Sequence, residues 1–299
     1  MDRRELLSRI ATFPLIARDL SEDLLSGNFR SVFKGQGIEF DEVRRYEQGD
    51  DAGSIDWNVS ARFGSPYIKL FREERELTVF IVLDSSASMD TGSGPLSRRE
   101  QAVLTTALVA LSAEKAGERV GCLMFGGSAE RLFPPKKGRA HALALVNAAV
   151  ALDAPSDGSG EYARSITGAL GRALTGTARL LKHRSLVIVI SDFLCVDWER
   201  DLGYLARKHD LLAIRVSDPV DTNLPDAGLV LLRDPESGEE MRAPTSFTSF
   251  RQAWNTYHEE HESAWRTACA RRNAACLNLS TADDPVLSLS RFFGSRRRA

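Results

Sequence analysis

Short apolar runs alternate with stretches in which apolar residues recur at helical spacing. LTVFIVL (Leu77 to Leu83), RVGCLMF (Arg119 to Phe125), SLVIVI (Ser185 to Ile190) and Leu211 to Val216 are apolar on both faces, the pattern of strands buried on both sides. Between them the spacing predicts helices over Arg98 to Gly117, Arg139 to Leu152, Ser165 to Lys182 and Trp198 to Lys208. In the first of these, Ala102, Val103, Leu104, Leu108, Val109 and Leu111 form the apolar side. A short strand at Glu130 to Phe133 predicts a hairpin edge, and residues 228 to 243 a second hairpin turning near Ser237-Gly238. A long amphipathic helix over Phe247 to Arg272, a strand at Ala275 to Leu279 and a helix after Pro285 close the pattern, and the tail SRRRA is expected to be disordered. At the other end, residues 2 to 26 predict a helix interrupted at Pro14 and capped at Gly27.

Buried strands alternating with helices mean an α/β fold: a doubly wound, mostly parallel sheet covered on both faces. The polar stretch from Lys34 to Ser60 suits neither a regular helix nor a long strand and reads as loop-rich. Three segments are therefore expected: a helical segment over 1–34, a loop-rich segment over 35–76 packed on the main domain, and the α/β domain over 77–299.

Composition narrows the function classes. Lys+Arg is 39 and Asp+Glu is 41 in 299 residues, a balance that gives no whole-chain case for nucleic-acid binding. The longest apolar runs fall far short of the roughly 20 residues of a spanning helix, and MDRRELLSRI is not a signal peptide. A soluble cytoplasmic protein is expected, with its four cysteines reduced and packed as small hydrophobes. There is no G-x-S-x-G elbow, no Walker lysine motif and no G-x-G-x-x-G, so neither hydrolase nor nucleotide chemistry of the common kinds is indicated. His258 and His261 are three apart, not the four of a zincin helix, and read as part of an exposed, charge-rich helix face.

In doubly wound sheets ligands sit beyond the carboxyl ends of the strands. There the first buried strand delivers Asp84, Ser85, Ser86, Ala87 and Ser88. One carboxylate and two hydroxyls in one loop are an oxygen-only set suited to a hard cation such as Mg²⁺ or Mn²⁺. Asp192, after the strand from Ser185, is expected to point into the same crevice. A competing reading makes Ser88 the cap of the following helix.

The string D-x-S-x-S after a buried first strand resembles the metal-ion-dependent adhesion site of von Willebrand factor A-like domains, a Rossmann-type architecture. The resemblance assigns metal-binding roles to Asp84, Ser86, Ser88 and Asp192. The family also uses a Thr from an intervening loop. Here the matching stretch is RSITGAL, the register places Arg164 at that position, and Ser165 is the preferred substitute, with Thr167 also near.

GQGIEFDEVRRYEQGDD (Gly35 to Asp51), IDWNVSAR (Ile55 to Arg62) and Glu73-Glu74-Arg75 closely resemble the bacterial family called domain of unknown function fifty-eight. The resemblance runs from about Phe29 to the final helix. It implies an A-like domain working beside a MoxR-type AAA+ ATPase as adaptor or co-chaperone, with the ATPase and its client as partners and no catalytic residues carried over. The family commonly has membrane helices ahead of this region; none is legible here, so a short soluble form is expected.

Within the upstream segment two readings compete: the acids form a surface for a partner's basic loops, or, as expected here, the acids and arginines pair and brace the segment, with Ile38, Phe40, Tyr46 and Trp57 as buried anchors and Asp56-Trp57 the most buried pair. Three functions compete for the site: a module presenting a divalent cation to a partner's acidic side chain, a metal-free scaffold in which Arg164 displaces the cation, and a metal-dependent hydrolase. The first is the expectation.

Overall fold

The computed structural model of the chain describes residues 4–13, 39–47, 50, 53, 55–72, 77–126, 130–152 and 168–296. These fall into two compact units, one drawn from Met1–Val32 and Leu77–Ala299, the other from Phe33–Glu76. The expected Pro14 break, the Gly27 cap, Ile38, Glu73-Glu74-Arg75, Arg164, Ser165, Thr167 and the last three residues of the tail lie outside the described residues.

In the smaller unit, strand β1 (Glu39–Arg45) pairs antiparallel with β2 (Tyr67–Arg72), and helix α2 (Trp57–Phe63) lies between them in sequence; helix α1 (residues 4–13) belongs to the larger unit. The stretch read as loop-rich therefore holds regular elements. Polar composition hid them because a two-stranded ribbon needs little apolar content. Arg44 and Asp50 form a two-pronged pair at 2.7 and 2.9 Å, and the guanidinium holds the Asp50 carboxyl below its ordinary range. Local acid–arginine pairing is thus present.

Trp57 is not a buried anchor. It is 71% exposed, at the first position of α2. The reason lies next door: Asp56 caps the helix, its carboxylate accepting from the amides of Asn58 and Val59. The Asp-Trp pair is a helix start, and the ring projects from it. Phe40's side chain is outside the described atoms and Tyr46 is half-buried.

The larger unit carries a six-stranded sheet of β3 (Thr78–Asp84), β4 (Arg119–Phe125), β5 (Arg131–Lys136), β6 (Leu186–Ser191), β7 (Asp210–Ser217) and β10 (Ala275–Ser280). Its order is β10-β7-β6-β3-β4-β5, parallel except for β5 at one edge. Val79, Phe80, Ile81 and Val82 of β3 and every residue of β6 are buried, as strands covered on both faces must be. Helices α3 (Arg98–Lys115), α4 (Arg139–Val150), α5 (Ala169–Leu180) and α6 (Glu199–Ala206) alternate with the strands. After the one-turn α7 (Pro219–Thr222), strands β8 (Leu229–Arg233) and β9 (Glu240–Pro244) form a separate two-stranded hairpin. The chain ends through α8 (Thr248–Arg271), β10 and α9 (Pro285–Arg296).

The doubly wound α/β architecture expected from the alternation is present. From β3 the chain runs on to β4 on one side, and from its other neighbour β6 it runs on to β7 on the other, so the strand order reverses between β3 and β6 and a crevice opens at their carboxyl ends. The cysteines are free thiols, Cys122 and Cys269 buried and Cys195 and Cys276 half-buried. No described helix is long and apolar enough to cross a membrane.

Candidate functional site

Sheet register brings the site together. Leu83 pairs with Ile190, so one step further Asp84 at the end of β3 stands beside Ser191 at the end of β6. The Ser191 hydroxyl donates to Asp84 Oδ2 at 2.6 Å and accepts from the Phe193 amide at 3.1 Å. On its other oxygen, Asp84 accepts from the Ser86 amide at 2.9 Å. Ser86 Oγ and Ser88 Oγ lie 3.1 Å apart. Ser85 faces away and donates to the Phe125 carbonyl at 2.7 Å.

Ser88 does not cap α3. That helix is capped by Ser97, whose side chain and Glu100 form a reciprocal capping box. Ser86, Ser88 and the short 3₁₀ turn Ala87–Asp90 are instead held by Arg99, which donates to the carbonyls of Ser85 and Ser86 and pairs with Asp90. The hydroxyls are free of helix-capping duty.

Asp192 is 4% exposed, and its Oδ1 accepts from the Leu194 amide at 3.1 Å. Its Oδ2 is buried and has no hydrogen-bond partner among the described residues. The next residue, Phe193, holds a left-handed φ of 54°, rare for an aromatic side chain. Its ring packs against Trp198 and Trp265, and its carbonyl accepts from His261 Nε2 at 2.8 Å. The surrounding packing therefore imposes this conformation, and with it the placement of Asp192. Across the loop, Gly126 has φ +80°, and a Cβ there would lie 3.2 Å from Asp84 Oδ1. Only glycine closes that wall without crowding the carboxylate.

Asp84, Ser86, Ser88 and Asp192 share one crevice of about 470 Å³. Burial, then repulsion from Asp192, raises the Asp84 carboxyl above its ordinary range, while Ser191 and the Ser86 amide oppose the shift. Two buried acids and an orphaned carboxylate oxygen are an arrangement that a cation would relieve, so this donor set fits a hard, oxygen-liganded ion. Among the described residues no three His, Cys, Asp or Glu side chains are grouped to hold a metal, so as the crevice stands the two acids would hold a cation together with the two hydroxyls, and a third carboxylate would reach it only by moving. Ser165, the remaining candidate, is outside the described residues.

The crevice also holds residues that the sequence reading did not place in it, Glu236 and His258 among them. Glu236, in the turn between β8 and β9, lines the crevice together with Ser88. Its carboxyl is pushed up to about 7 by burial, then by repulsion from Asp192 and Asp84. His258 also lines it, 6% exposed, with its ring against Trp254 and Tyr257 and Nδ1 unpartnered among the described residues. The exposed-face expectation for His258 and His261 therefore fails: this side of α8 lies over the carboxyl ends of the strands, so His258 is buried and His261 half-buried, while the neighbouring Glu259 and Glu260 are exposed. Burial lowers the His258 pKa and favours the neutral ring. The turn near Ser237 was legible, but nothing local to Glu236 indicated that the hairpin reaches the sheet's carboxyl end.

Comparison with known proteins agrees with the whole-chain character of the motifs. An uncharacterised Mycobacterium tuberculosis protein is 32% identical over 306 residues, covering 100% of this chain and 92% of its own length. A Mycobacterium avium protein, also uncharacterised, is 36% identical over 138 residues, 44% of this chain and 79% of its own. Among solved structures, the SpRpn10 VWA domain aligns over 74% of this chain and 95% of its own at 12% identity and a TM-score of 0.35. A family model described as "Protein of unknown function DUF58" matches residues 42–264, and the chain belongs to that family.

Proposed function

We propose that the protein is a non-enzymatic interaction module that binds a partner's acidic side chain through a divalent cation, Mg²⁺ or Mn²⁺, held by Asp84, Ser86, Ser88 and Asp192. One observation carries the reading: Asp192, which lines the crevice that also holds Asp84 and the two hydroxyls, has a buried carboxylate oxygen without a hydrogen-bond partner among the described residues. Two carboxylates and two neutral hydroxyls leave a hard cation short of ligands, and an incoming carboxylate supplies what is missing. Ser165 is the further ligand this reading adds.

The family resemblance supplies the partner in this proposal: a MoxR-type AAA+ ATPase, for which the module acts as adaptor or co-chaperone toward a client in the cytoplasm. The test is capture of the purified ATPase by the immobilised protein. Capture should need Mg²⁺, fail in chelator and fail with Asp84→Ala. Capture indifferent to chelator supports the metal-free scaffold instead.

His258 gives the hydrolase reading one specific support, since a neutral imidazole lines the crevice where a bound cation would act as Lewis acid. Turnover of a phosphoester or ester in a Mg²⁺-supplemented panel, lost in His258→Gln, would favour it.

A further inference from the structure

Glu236 is out of character for its place. A glutamate in a hairpin turn is ordinarily solvated. Here it is half-buried and lines the crevice of Asp84, Ser88 and Asp192. Ser88 is itself one of the four candidate cation ligands and lines the same crevice, so Glu236 borders the site. It comes without an obvious structural reason: the turn is closed by Asp234, which accepts from Ser237 Oγ at 2.6 Å and from the Glu236 amide at 2.9 Å. The hairpin itself is lightly held. Among the described residues its strands pair only with each other, and Leu229, Leu231 and Met241 are more than half exposed. Little apolar burial opposes a small displacement of its tip.

We propose that Glu236 is an internal ligand: with no partner bound, the β8–β9 hairpin offers this carboxylate to the cation, and a partner's acidic side chain must displace it. The inference rests on the cation reading above and adds its regulation. It turns the hairpin into a gate whose position reports whether the site is engaged by the chain itself or by a partner. The Asp192 oxygen without a partner among the described residues is the independent sign that the crevice awaits a positive ligand, toward which Glu236 would be drawn.

The test uses the full chain and the metal alone. Mn²⁺ affinity is measured by calorimetry for the wild type, Glu236→Gln and Asp84→Ala, and amide hydrogen exchange of the 229–244 hairpin is followed with and without Mg²⁺. Glu236→Gln should still bind Mn²⁺ but about ten-fold more weakly, the scale expected for losing one charged ligand. Mg²⁺ should slow exchange in the wild-type hairpin and leave that of Glu236→Gln unchanged. Both effects are required. If the wild type binds Mn²⁺ and Asp84→Ala does not, while Glu236→Gln matches the wild type in affinity or in hairpin response, the internal ligand is overturned and the cation site stands. If the wild type binds no Mn²⁺, both readings fall.

Discussion

Ser191 Oγ donates to Asp84 Oδ2 at 2.6 Å across the seam between β6 and β3. The same hydroxyl accepts from the Phe193 amide, so one serine orients the carboxylate and anchors the loop that carries Asp192. Ser191→Ala leaves both groups short of a partner in a buried setting. It should lower stability by about 1–3 kcal/mol, the usual cost of orphaning buried polar groups. Urea denaturation of the metal-free protein checks this, and an unchanged midpoint would show that the bond is not limiting.

The two buried acids predict metal-dependent stability. At a Mg²⁺ concentration one hundred times Kd, binding to the native state alone adds about 2.7 kcal/mol. Asp192→Asn should abolish most of that increment while leaving the fold intact. An equal Mg²⁺ effect in wild type and Asp192→Asn would remove Asp192 from the site.

Trp57 and Asp56 should separate cleanly. With its ring 71% exposed, Trp57→Ala should change stability by no more than about 0.5 kcal/mol. Asp56→Ala removes a helix cap and should cost about 1 kcal/mol. Paired denaturation curves decide it; a large loss at Trp57 would mean that the ring is buried in solution.

His209 sets an acid limit on stability. It is buried, neither ring nitrogen has a partner among the described residues, and burial followed by the charge of Lys208 lowers its pKa to about 4. Above the ordinary histidine value of about 6.5 the ring is neutral folded and unfolded, and it contributes nothing to pH dependence. As pH falls from about 6.5 toward 4 the unfolded chain takes the proton first, so stability declines, by at most about 3 kcal/mol from this group. His209→Leu should flatten that segment of the stability–pH curve. A curve parallel to wild type would assign the decline elsewhere.

Legibility in the sequence followed locality. Asp84, Ser86 and Ser88 fall within one five-residue string that follows a buried strand, so their placement could be read directly, and Asp192 was found by the same strand-end logic. Glu236 and His258 reach the crevice from a hairpin and a long helix whose docking is decided by tertiary packing. No periodicity near either residue encodes that. Trp57 was misread for the opposite reason: an aromatic residue in a polar stretch suggested an anchor, whereas the adjacent Asp56 was the stronger local signal, a helix cap. The β1–β2 ribbon was missed because its strands lack the apolar runs that marked the central sheet.

The most direct test of the account is a calorimetric Mn²⁺ titration of the purified chain beside Asp84→Ala. The account predicts a saturable single-site heat in the wild type and its loss in the variant. Titrations indistinguishable between the two proteins would contradict it.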